Sequence, residues 1–170
     1  MTNIQSKETL INSSASQNCL DVAYRYLGYR PRSEEELRQH LHKRGFGNEA
    51  IEKTITKLKE QNLVDDLAFA QFWKDNRLSF KPKSKRLIKR ELRDKKIDQE
   101  IVEEVTRDID DESSAYNLGC SRMHTLTHLD YPDFHRRLSN YLGYRGFSYE
   151  VIKRTITLLW RERECQQIRH

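Results

Sequence analysis

The chain has few cysteines and no long apolar run. Cys19, Cys120 and Cys165 are widely separated and odd in number, so the sequence predicts no disulfide framework and a reducing environment. No stretch has the length and hydrophobicity of a membrane span, and the N-terminus lacks the charged and apolar regions of a signal peptide. We therefore expect a soluble cytoplasmic protein that does not bind membranes.

The motifs of common enzymes are also missing. The sequence contains no glycine-rich phosphate loop, no nucleophile elbow and no His-Glu-x-x-His motif. Cys120, His124 and His128 follow one another at helical spacing, but a straight helix cannot bring three ligands two turns apart onto one tetrahedral ion. We therefore predict a protein that is not an enzyme, with no catalytic residue, no metal site and no cofactor.

Apolar residues are scarce. They make up 36% of the 170 residues, whereas 34% are charged, and the mean hydropathy is -0.91. This composition is too poor in apolar side chains for one large spherical core, but it suffices for thin amphipathic helices stacked in series. The composition therefore favours an elongated molecule.

A 22-residue segment occurs twice. Leu37–Leu58 matches Leu138–Leu159 at eleven positions, and both segments contain the sequence Arg-Gly-Phe. Apolar residues one turn apart lie before the glycine, and another apolar stripe follows it. Each segment therefore predicts two helices joined at a glycine, because glycine readily adopts the left-handed conformation that ends helices.

A weaker copy lies between these two, with Ile88 and Leu92 at the positions of Leu37 and Leu41. It carries Lys96 in place of the glycine, so either a non-glycine residue adopts the left-handed turn at roughly 1 kcal/mol or this helix ends differently. Three copies at intervals of about 50 residues indicate a repeat protein. We predict an all-α chain of three tandem three-helix repeats in an elongated arrangement.

The predicted bounds follow from this pattern. Residues 1–16 are a disordered tail, 17–64, 65–110 and 111–162 are the three repeats, and 163–170 are a frayed tail. The polar run Asp110–Ser114 is the predicted linker before a helix that covers Tyr116 to about His124. The residues predicted to begin or cap helices are Ser33, Asn48, Ser84, Asp98, Asp130 and Ser148. Asp65 and Asp66 are also interpreted as structural residues at a helix start.

Positive charge is concentrated in the middle of the chain. The net charge is +5 overall, but residues 74–96 alone contain eleven Lys or Arg against three acidic residues, a local net charge of +8. Asp98–Glu112 reverses the sign, with eight acidic residues against one arginine. Such charge blocks are either a solvated surface or a binding face for a polyanion, either nucleic-acid phosphates or protein carboxylates.

The candidate binding residues are the basic side chains of this middle segment. Phe80 and Trp73 lie nearby and could stack on bases, although the helical spacing of Phe69, Phe72 and Trp73 favours a core role. The candidates are Arg77, Lys81, Lys83, Lys85, Arg86, Lys89, Arg90, Arg93 and Lys95.

Several motifs resemble the RecX family, bacterial regulators of the recombinase RecA. They are Tyr26-Leu27 with Arg30-Pro31-Arg32-Ser33-Glu34-Glu35-Glu36-Leu37, then Leu63-Val64-Asp65-Asp66 with Phe69-Ala70 and Arg77, then Arg90-Glu91-Leu92 before Lys96-Ile97, and finally Tyr144-Arg145-Gly146-Phe147. The likeness covers about Leu20 to Glu162. Two positions depart from the family pattern, because Ser84 and Lys96 stand where the family usually has glycine.

The resemblance implies binding within the groove of the RecA filament on DNA. It also implies inhibition of the ATPase, recombinase and coprotease activities of RecA, and filament disassembly. The partners would be the RecA filament and, directly or through it, single- or double-stranded DNA, with this chain acting as a monomer. Lesser binding candidates under this hypothesis are Arg30, Arg32, Arg136, Arg137 and Arg145.

A DNA-binding regulator is the alternative. A pair of helices joined by a short turn containing glycine is also the plan of a helix-turn-helix motif, which reads duplex DNA. The most basic helix, however, lies in the repeat that lacks the glycine. A helical adaptor that binds proteins without nucleic acid is a third possibility.

Overall fold

The structure is a computed structural model that describes residues 17–80 and 82–167. Across these residues the backbone forms nine helices and no strand. Helix α1 covers residues 17–27, and the others are α2 (Glu34–Lys43), α3 (Asn48–Glu60), α4 (Asp66–Phe80), α5 (Lys85–Asp94), α6 (Gln99–Thr106), α7 (Asp111–Leu126), α8 (Tyr131–Tyr144) and α9 (Tyr149–Gln167).

The helices follow one another as three three-helix repeats, α1–α3, α4–α6 and α7–α9. The prediction of an all-α chain with three tandem repeats is therefore confirmed. The residue bounds of the repeats stay a prediction, and the expected disordered tail at 1–16 lies outside the described residues. Helix α9 continues to Gln167, past the point near residue 162 where the sequence predicts fraying to begin.

The contacts divide the chain into two compact units. The first comprises residues 17–72 and 92–102, and the second comprises residues 73–91 and 103–167 apart from residue 81. The division passes through α4, α5 and α6, so the second repeat contributes residues to both units. No helix within the described ranges is both long and apolar enough to cross a membrane.

Each unit has its own apolar core. In the first unit the stripes predicted on α2 and α3 are buried, and they pack with residues of α1. In the second unit the corresponding stripes on α8 and α9 pack against α7. Gly119 of α7 allows a close approach to α9, because a Cβ there would lie 2.4 Å from Leu159 Cδ1. A fully buried Leu or Phe side chain contributes about 1.5–3 kcal/mol relative to an exposed one.

One left-handed residue joins the second helix of each repeat to the third. Gly45 and Gly146 have φ of +86° and +87°, and Lys96 has φ of +60°. In all three repeats the amide of the following residue donates to a carbonyl in the last turn of the helix, with N···O distances of 3.2–3.3 Å. The second repeat therefore keeps the same turn with a lysine, despite the steric cost of the left-handed conformation.

Most predicted caps are confirmed. Ser33, Ser84, Asp98, Asp130 and Ser148 each accept a backbone amide two or three residues further along the chain, with N···O distances of 2.8–3.3 Å. The prediction for Asn48 is wrong, because Gly47 is the N-cap of α3 and Asn48 is the first helical residue. Asp65 accepts the amides of Leu67 and Ala68 at 2.8 and 3.0 Å, which confirms its structural role.

The predicted linker before the third repeat is also wrong. Asp110 caps α7, and its Oδ1 accepts the amides of Glu112 and Ser113 at 2.9 and 3.3 Å. Residues 111–114 form the first turn of this helix, and Ala115 is already buried. Acidic residues are favoured in the first turn because they face the positive end of the helix dipole, so a polar run resembles a linker in sequence while starting a helix.

A serine at the start of one repeat's second helix contacts the residue before the left-handed turn of the next repeat, and this contact occurs in both units. In the first unit, Ser33 Oγ donates to the carbonyl of Lys95 at 3.4 Å. In the second unit, the amide of Ser84 donates to the carbonyl of Arg145 at 3.0 Å. Both serines are fully buried. A Cβ on Gly146 would lie only 2.7 Å from Ser84 Oγ, so this glycine is required for close packing as well as for its positive φ.

Candidate functional site

Helix α5, which carries the most basic candidates, is fixed at its start by two side-chain caps. Ser84 Oγ accepts the amide of Leu87, and Asp111 Oδ1 accepts the amide of Lys85 at 2.7 Å. Ile88 is fully buried. Because Ile88 faces the interior, the charged residues before and after it lie on the more exposed sides of the helix.

Glu91 holds two of the predicted binding residues. Its Oε2 accepts from Arg77 Nε at 2.7 Å and from Trp73 Nε1 at 2.9 Å, and its Oε1 pairs with Lys83. The Arg77 guanidinium also lies 4.3 Å from the centre of the Trp73 ring. Burial raises the pKa of Glu91, but the hydrogen bonds from Lys83, Arg77 and Trp73 outweigh it and hold the pKa below its usual value.

Two more candidates of the second unit have partners within the chain. Lys89 forms an ion pair with Glu103, and Lys85 Nζ donates to the carbonyl of Arg107 at 2.7 Å. The basic and acidic blocks therefore neutralise each other in part. A lysine already held by a carboxylate gains less from an external anion than a free one does.

Arg86 and Arg90 remain exposed on α5, one helical turn apart. The Arg86 guanidinium donates to the carbonyl of Gly146 at 3.5 Å, which is at the limit of a hydrogen bond. We call these two side chains the α5 basic pair. They are the predicted α5 candidates in the second unit that the structure leaves open to a partner.

Two predicted candidates belong to the first unit. Arg93 is exposed, and its Nε donates to Gln99 Oε1 at 3.0 Å. Lys95 forms an ion pair with Glu36, and its Nζ lies 5.8 Å from the centre of the Phe69 ring. Phe69 is fully buried, which confirms its predicted core role, whereas Phe72 and Trp73 are half-buried. Lys81 lies outside the described residues.

The lesser candidates of the first unit also have structural partners. Arg30 donates to both oxygens of Glu36, at 3.0 and 3.1 Å. Burial raises the pKa of Glu36, but Arg30 and Lys95 outweigh it and lower the pKa. The Arg32 guanidinium lies 4.1 Å from the centre of the Tyr26 ring, and its buried Nε has no hydrogen-bond partner among the described residues.

The lesser candidates of the second unit differ from one another. Arg136 forms an ion pair with Asp133 at 2.7 Å, whereas Arg137 is exposed. Arg145 donates to the carbonyl of Pro82 at 3.1 Å and to Tyr141 Oη at 3.4 Å. Arg145 therefore has uncharged partners, whereas Arg137 lies near enough to Asp133 to help Arg136 lower the pKa of that carboxyl.

Two further residues that the sequence did not single out belong to this cluster. The Arg122 guanidinium lies 4.7 Å from the centre of the Tyr141 ring, and the Arg145 guanidinium lies 5.1 Å from it. The sequence signal was that Arg137 stands where the first repeat has Glu36, and Tyr141 stands where the second repeat has Glu91. Beside the Tyr141 ring is a pocket of about 220 Å³, which we call the Tyr141 pocket, lined by Arg122, Thr125, Leu126, Arg137, Leu138 and Tyr141.

Cys120, His124 and His128 do not lie on one continuous helix. Cys120 is exposed on α7, which ends at Leu126, before His128. Within the part of the chain that the structure describes, no group of three or more His, Cys, Asp or Glu side chains is placed to hold a metal ion. Asp66, the second residue of the acidic pair, accepts the amide of Glu34 at 2.8 Å and so caps α2.

Comparison with known proteins supports the resemblance along the whole series of repeats. Three family models, described as the first, second and third three-helix domains of RecX, match residues 19–58, 65–105 and 110–156 in that order. The chain belongs to the RecX family. The three matched segments correspond to the three repeats of the structure, including the second repeat with its lysine turn.

Relatives support the assignment at nearly full length. A regulatory protein RecX from Prosthecochloris aestuarii is 33% identical over 146 residues, which are 86% of this chain and 96% of the relative. A regulatory protein RecX from Amycolatopsis mediterranei is 34% identical and covers 82% of this chain and 81% of its own length. The likeness is therefore not limited to one repeat.

A solved structure has the same fold. The crystal structure of RecX from Lactobacillus salivarius superposes with a TM-score of 0.73, covering 86% of this chain and 97% of that chain at 23% identity. A second structure, of a regulatory protein RecX, gives a TM-score of 0.74 at 18% identity. At this identity the likeness supports the three-repeat RecX fold alone.

Proposed function

We propose that this chain is a negative modulator of RecA that acts without catalysis of its own. It binds within the groove of the RecA filament on DNA and inhibits the ATPase, recombinase and coprotease activities of RecA. It acts as a monomer in the cytoplasm, where RecA assembles on DNA. The observation that carries this proposal is the ordered match of three RecX domains along the chain.

The α5 basic pair is the surface we propose for the charged contact with the filament. Arg86 and Arg90 are exposed, whereas Arg77, Lys83, Lys85 and Lys89 have partners within the chain. Arginine suits this role because its planar guanidinium can donate two parallel hydrogen bonds to a carboxylate or a phosphate. The other basic residues of the segment then hold α5 in place and shape the surface around this pair.

The first test is the rate of RecA ATP hydrolysis on single-stranded DNA, with this protein titrated in below one molecule per RecA. The wild type should inhibit, and R86E/R90E should raise the half-inhibitory concentration at least about tenfold, or about 1.4 kcal/mol. The control is K53E/K57E, which reverses two exposed charges one turn apart on α3. It changes the net charge equally and should inhibit like the wild type.

Two outcomes would count against the proposal in different ways. Full inhibition by R86E/R90E, with helix content unchanged by circular dichroism, would mean that the α5 basic pair is the wrong surface. No inhibition by the wild type beyond that of a salt-matched basic protein would contradict the function itself.

The duplex-binding alternative retains one supporting observation. The pairs α2–α3 and α8–α9 are each joined at a left-handed glycine, as the helices of a helix-turn-helix motif can be. The exposed α5 basic pair, in contrast, lies on a helix that is followed by the Lys96 turn. Sequence-selective binding to a duplex with RecA absent would favour this alternative, whereas equal binding to all duplexes would not.

A further inference from the structure

The Tyr141 pocket has more positive charge around it than the other repeats have at the same positions. Arg122 and Arg137 line it, and Arg145 lies beside the Tyr141 ring. No ion pair joins any of these three arginines to a carboxylate within the described residues. The nearby acid, Asp133, forms its ion pair with Arg136, and its longer-range attraction to Arg137 is the weaker of the two interactions.

The other repeats place a carboxylate where the third repeat does not. Arg137 occupies the repeat position of Glu36, which holds Arg30 and Lys95 in the first unit. Tyr141 occupies the repeat position of Glu91 in the second repeat.

Glu91 performs the same neutralising role as Glu36, because it holds Arg77 and Lys83. Both neutralising carboxylates are thus replaced in the third repeat, one of them by an arginine. The fold does not require these replacements, since the same helix position accommodates Glu in one repeat and Tyr in another.

Clustered arginines without a carboxylate attract an anion. Like charges close together repel each other, and an anion bound between them removes that repulsion. The pocket has room for a small group at about 220 Å³, and guanidinium groups match the geometry of phosphate oxygens. A phosphate therefore fits this pocket both in size and in the hydrogen bonds that its lining can donate.

We propose that the Tyr141 pocket binds a backbone phosphate of a nucleic acid, through Arg122 and Arg137 with support from Arg145. The net charge of +5 and the pI near 9.1 favour association of the whole chain with a polyanion. Two guanidinium groups lie near the Tyr141 ring, so the contact is made to the backbone and not by stacking on a base. Backbone contacts carry no sequence information, so binding is independent of base sequence.

This inference goes beyond the proposed function, because it concerns nucleic acid bound by this chain with RecA absent. A chain that binds the filament through protein contacts alone would inhibit RecA and still fail to bind an oligonucleotide by itself. The reverse result, DNA binding without inhibition, would contradict the proposed function and leave this inference standing.

The test is binding of a fluorescent single-stranded oligonucleotide to the full chain, followed by anisotropy at several salt concentrations. R137E introduces the charge that Glu36 supplies in the first repeat, and it should weaken binding by the same factor for oligonucleotides of different sequence. R122Q removes a positive charge without adding a negative one and should have a smaller effect in the same direction. The slope of log K against log salt should become shallower by about 0.7 for each phosphate that a variant no longer neutralises.

The matched control is R136E, one residue away. It makes the same change in net charge, but the wild-type Arg136 is paired with Asp133, away from the lining of the pocket. R136E should bind more tightly than R137E and keep the wild-type salt slope. R137E should stay folded with a melting temperature close to that of the wild type, because the repulsion with Arg122 and Arg145 that it relieves is offset by new repulsion with Asp133 one turn earlier on α8.

A second measurement distinguishes binding of a nucleic acid from binding of a free phosphate ion. Titration of inorganic phosphate should shift the NMR signals of the Arg122 and Arg137 side-chain N–H groups only weakly, whereas the oligonucleotide should shift them at much lower concentration. Equal loss of binding in R136E and R137E would overturn the proposal, because only net charge would then matter. Equal affinity for inorganic phosphate and for the oligonucleotide would also overturn it.

Discussion

Single carboxylates decide which basic residues of this chain are available to a partner. Glu91 accepts from Trp73, Arg77 and Lys83. Its side chain is only 16% exposed. A partly buried carboxylate with three donors leaves little hydrogen-bonding capacity unused, so this cluster stabilises the fold and is a poor site for an external ligand.

We predict that E91Q destabilises the protein by about 1.5–3 kcal/mol at neutral pH, because Arg77 and Lys83 lose their charged acceptor. The pKa of Glu91 is lowered in the folded protein. Its contribution is therefore fully present above the pKa of an unfolded Glu, about 4.3, and is lost as the pH falls through the lower folded value. The free energy of unfolding, measured in urea from pH 7 to pH 3, should differ less between wild type and E91Q at the acid end.

The control for this prediction is E49Q. Glu49 forms an ion pair with Lys53 that is exposed on both sides, and solvent screens such pairs. E49Q should leave the unfolding free energy at neutral pH close to that of the wild type. A difference between wild type and E91Q that does not change with pH would argue against the Glu91 carboxylate as the cause.

The availability of a charged residue could not be predicted from the sequence. Arg77, Lys83, Arg86 and Arg90 look alike in a basic segment, and all four were predicted to bind a partner. The structure separates them, because Glu91 lies within reach of the first two only. These partners of Glu91 lie 8 and 14 residues away along the chain, so their contacts depend on how the second unit folds and are not contained in any local pattern.

At the scale of elements, the start of a helix could be predicted where the capping side chain directly precedes that helix. Ser33, Ser84, Asp98, Asp130 and Ser148 cap helices as their sequence positions indicate. Caps supplied by another helix were missed. Asp66 caps α2, and Asp111 caps α5, across separations of 32 and 26 residues.

The turn after α5 gives a prediction of its own. Lys96 has φ of +60°, at the position of Gly45 and Gly146. K96G should raise the free energy of unfolding by about 0.5–1 kcal/mol, because relief of the left-handed conformation exceeds the added entropy of the unfolded chain. Urea denaturation of wild type and variant measures this difference.

K57G is the matched control for that change. Lys57 is an exposed residue within α3, where glycine should lower the free energy of unfolding by about 0.5–1 kcal/mol. The same substitution thus has opposite signs at the two positions. Destabilisation by K96G equal to that of K57G would show that the lysine is not strained at this turn.

At the scale of the whole molecule, charge is segregated along the chain and partly neutralised within it. The +8 of residues 74–96 is followed by an acidic block whose members include Glu103, paired with Lys89, and Asp111, which caps α5. The effective positive charge of the middle segment is therefore smaller than the sequence suggests. The α5 basic pair is the largest part of it that we expect to act on a filament.

We predict that the affinity of this protein for RecA filaments on single-stranded DNA falls as salt increases. Charged contacts at the surface weaken as the Debye length shortens, from about 10 Å at 0.1 M salt to about 3 Å at 1 M. The dependence should be weaker for R86E/R90E than for wild type or K53E/K57E, since the variant lacks the proposed contact. Co-sedimentation with filaments over a salt series measures it, and affinity independent of salt would favour apolar contacts instead.

The sequence by itself determined the helical class, the three repeats, most of the caps and the family. These features depend on residues close together along the chain or on a pattern repeated within it, so neighbouring positions contain the necessary information. Only the tertiary structure decided that α5 keeps two exposed arginines, that Lys96 adopts the left-handed turn, and that Arg122 joins Arg137 and Arg145 around Tyr141. Each of these depends on which side chains packing brings within a few ångströms, and that follows from the whole arrangement of helices in a unit.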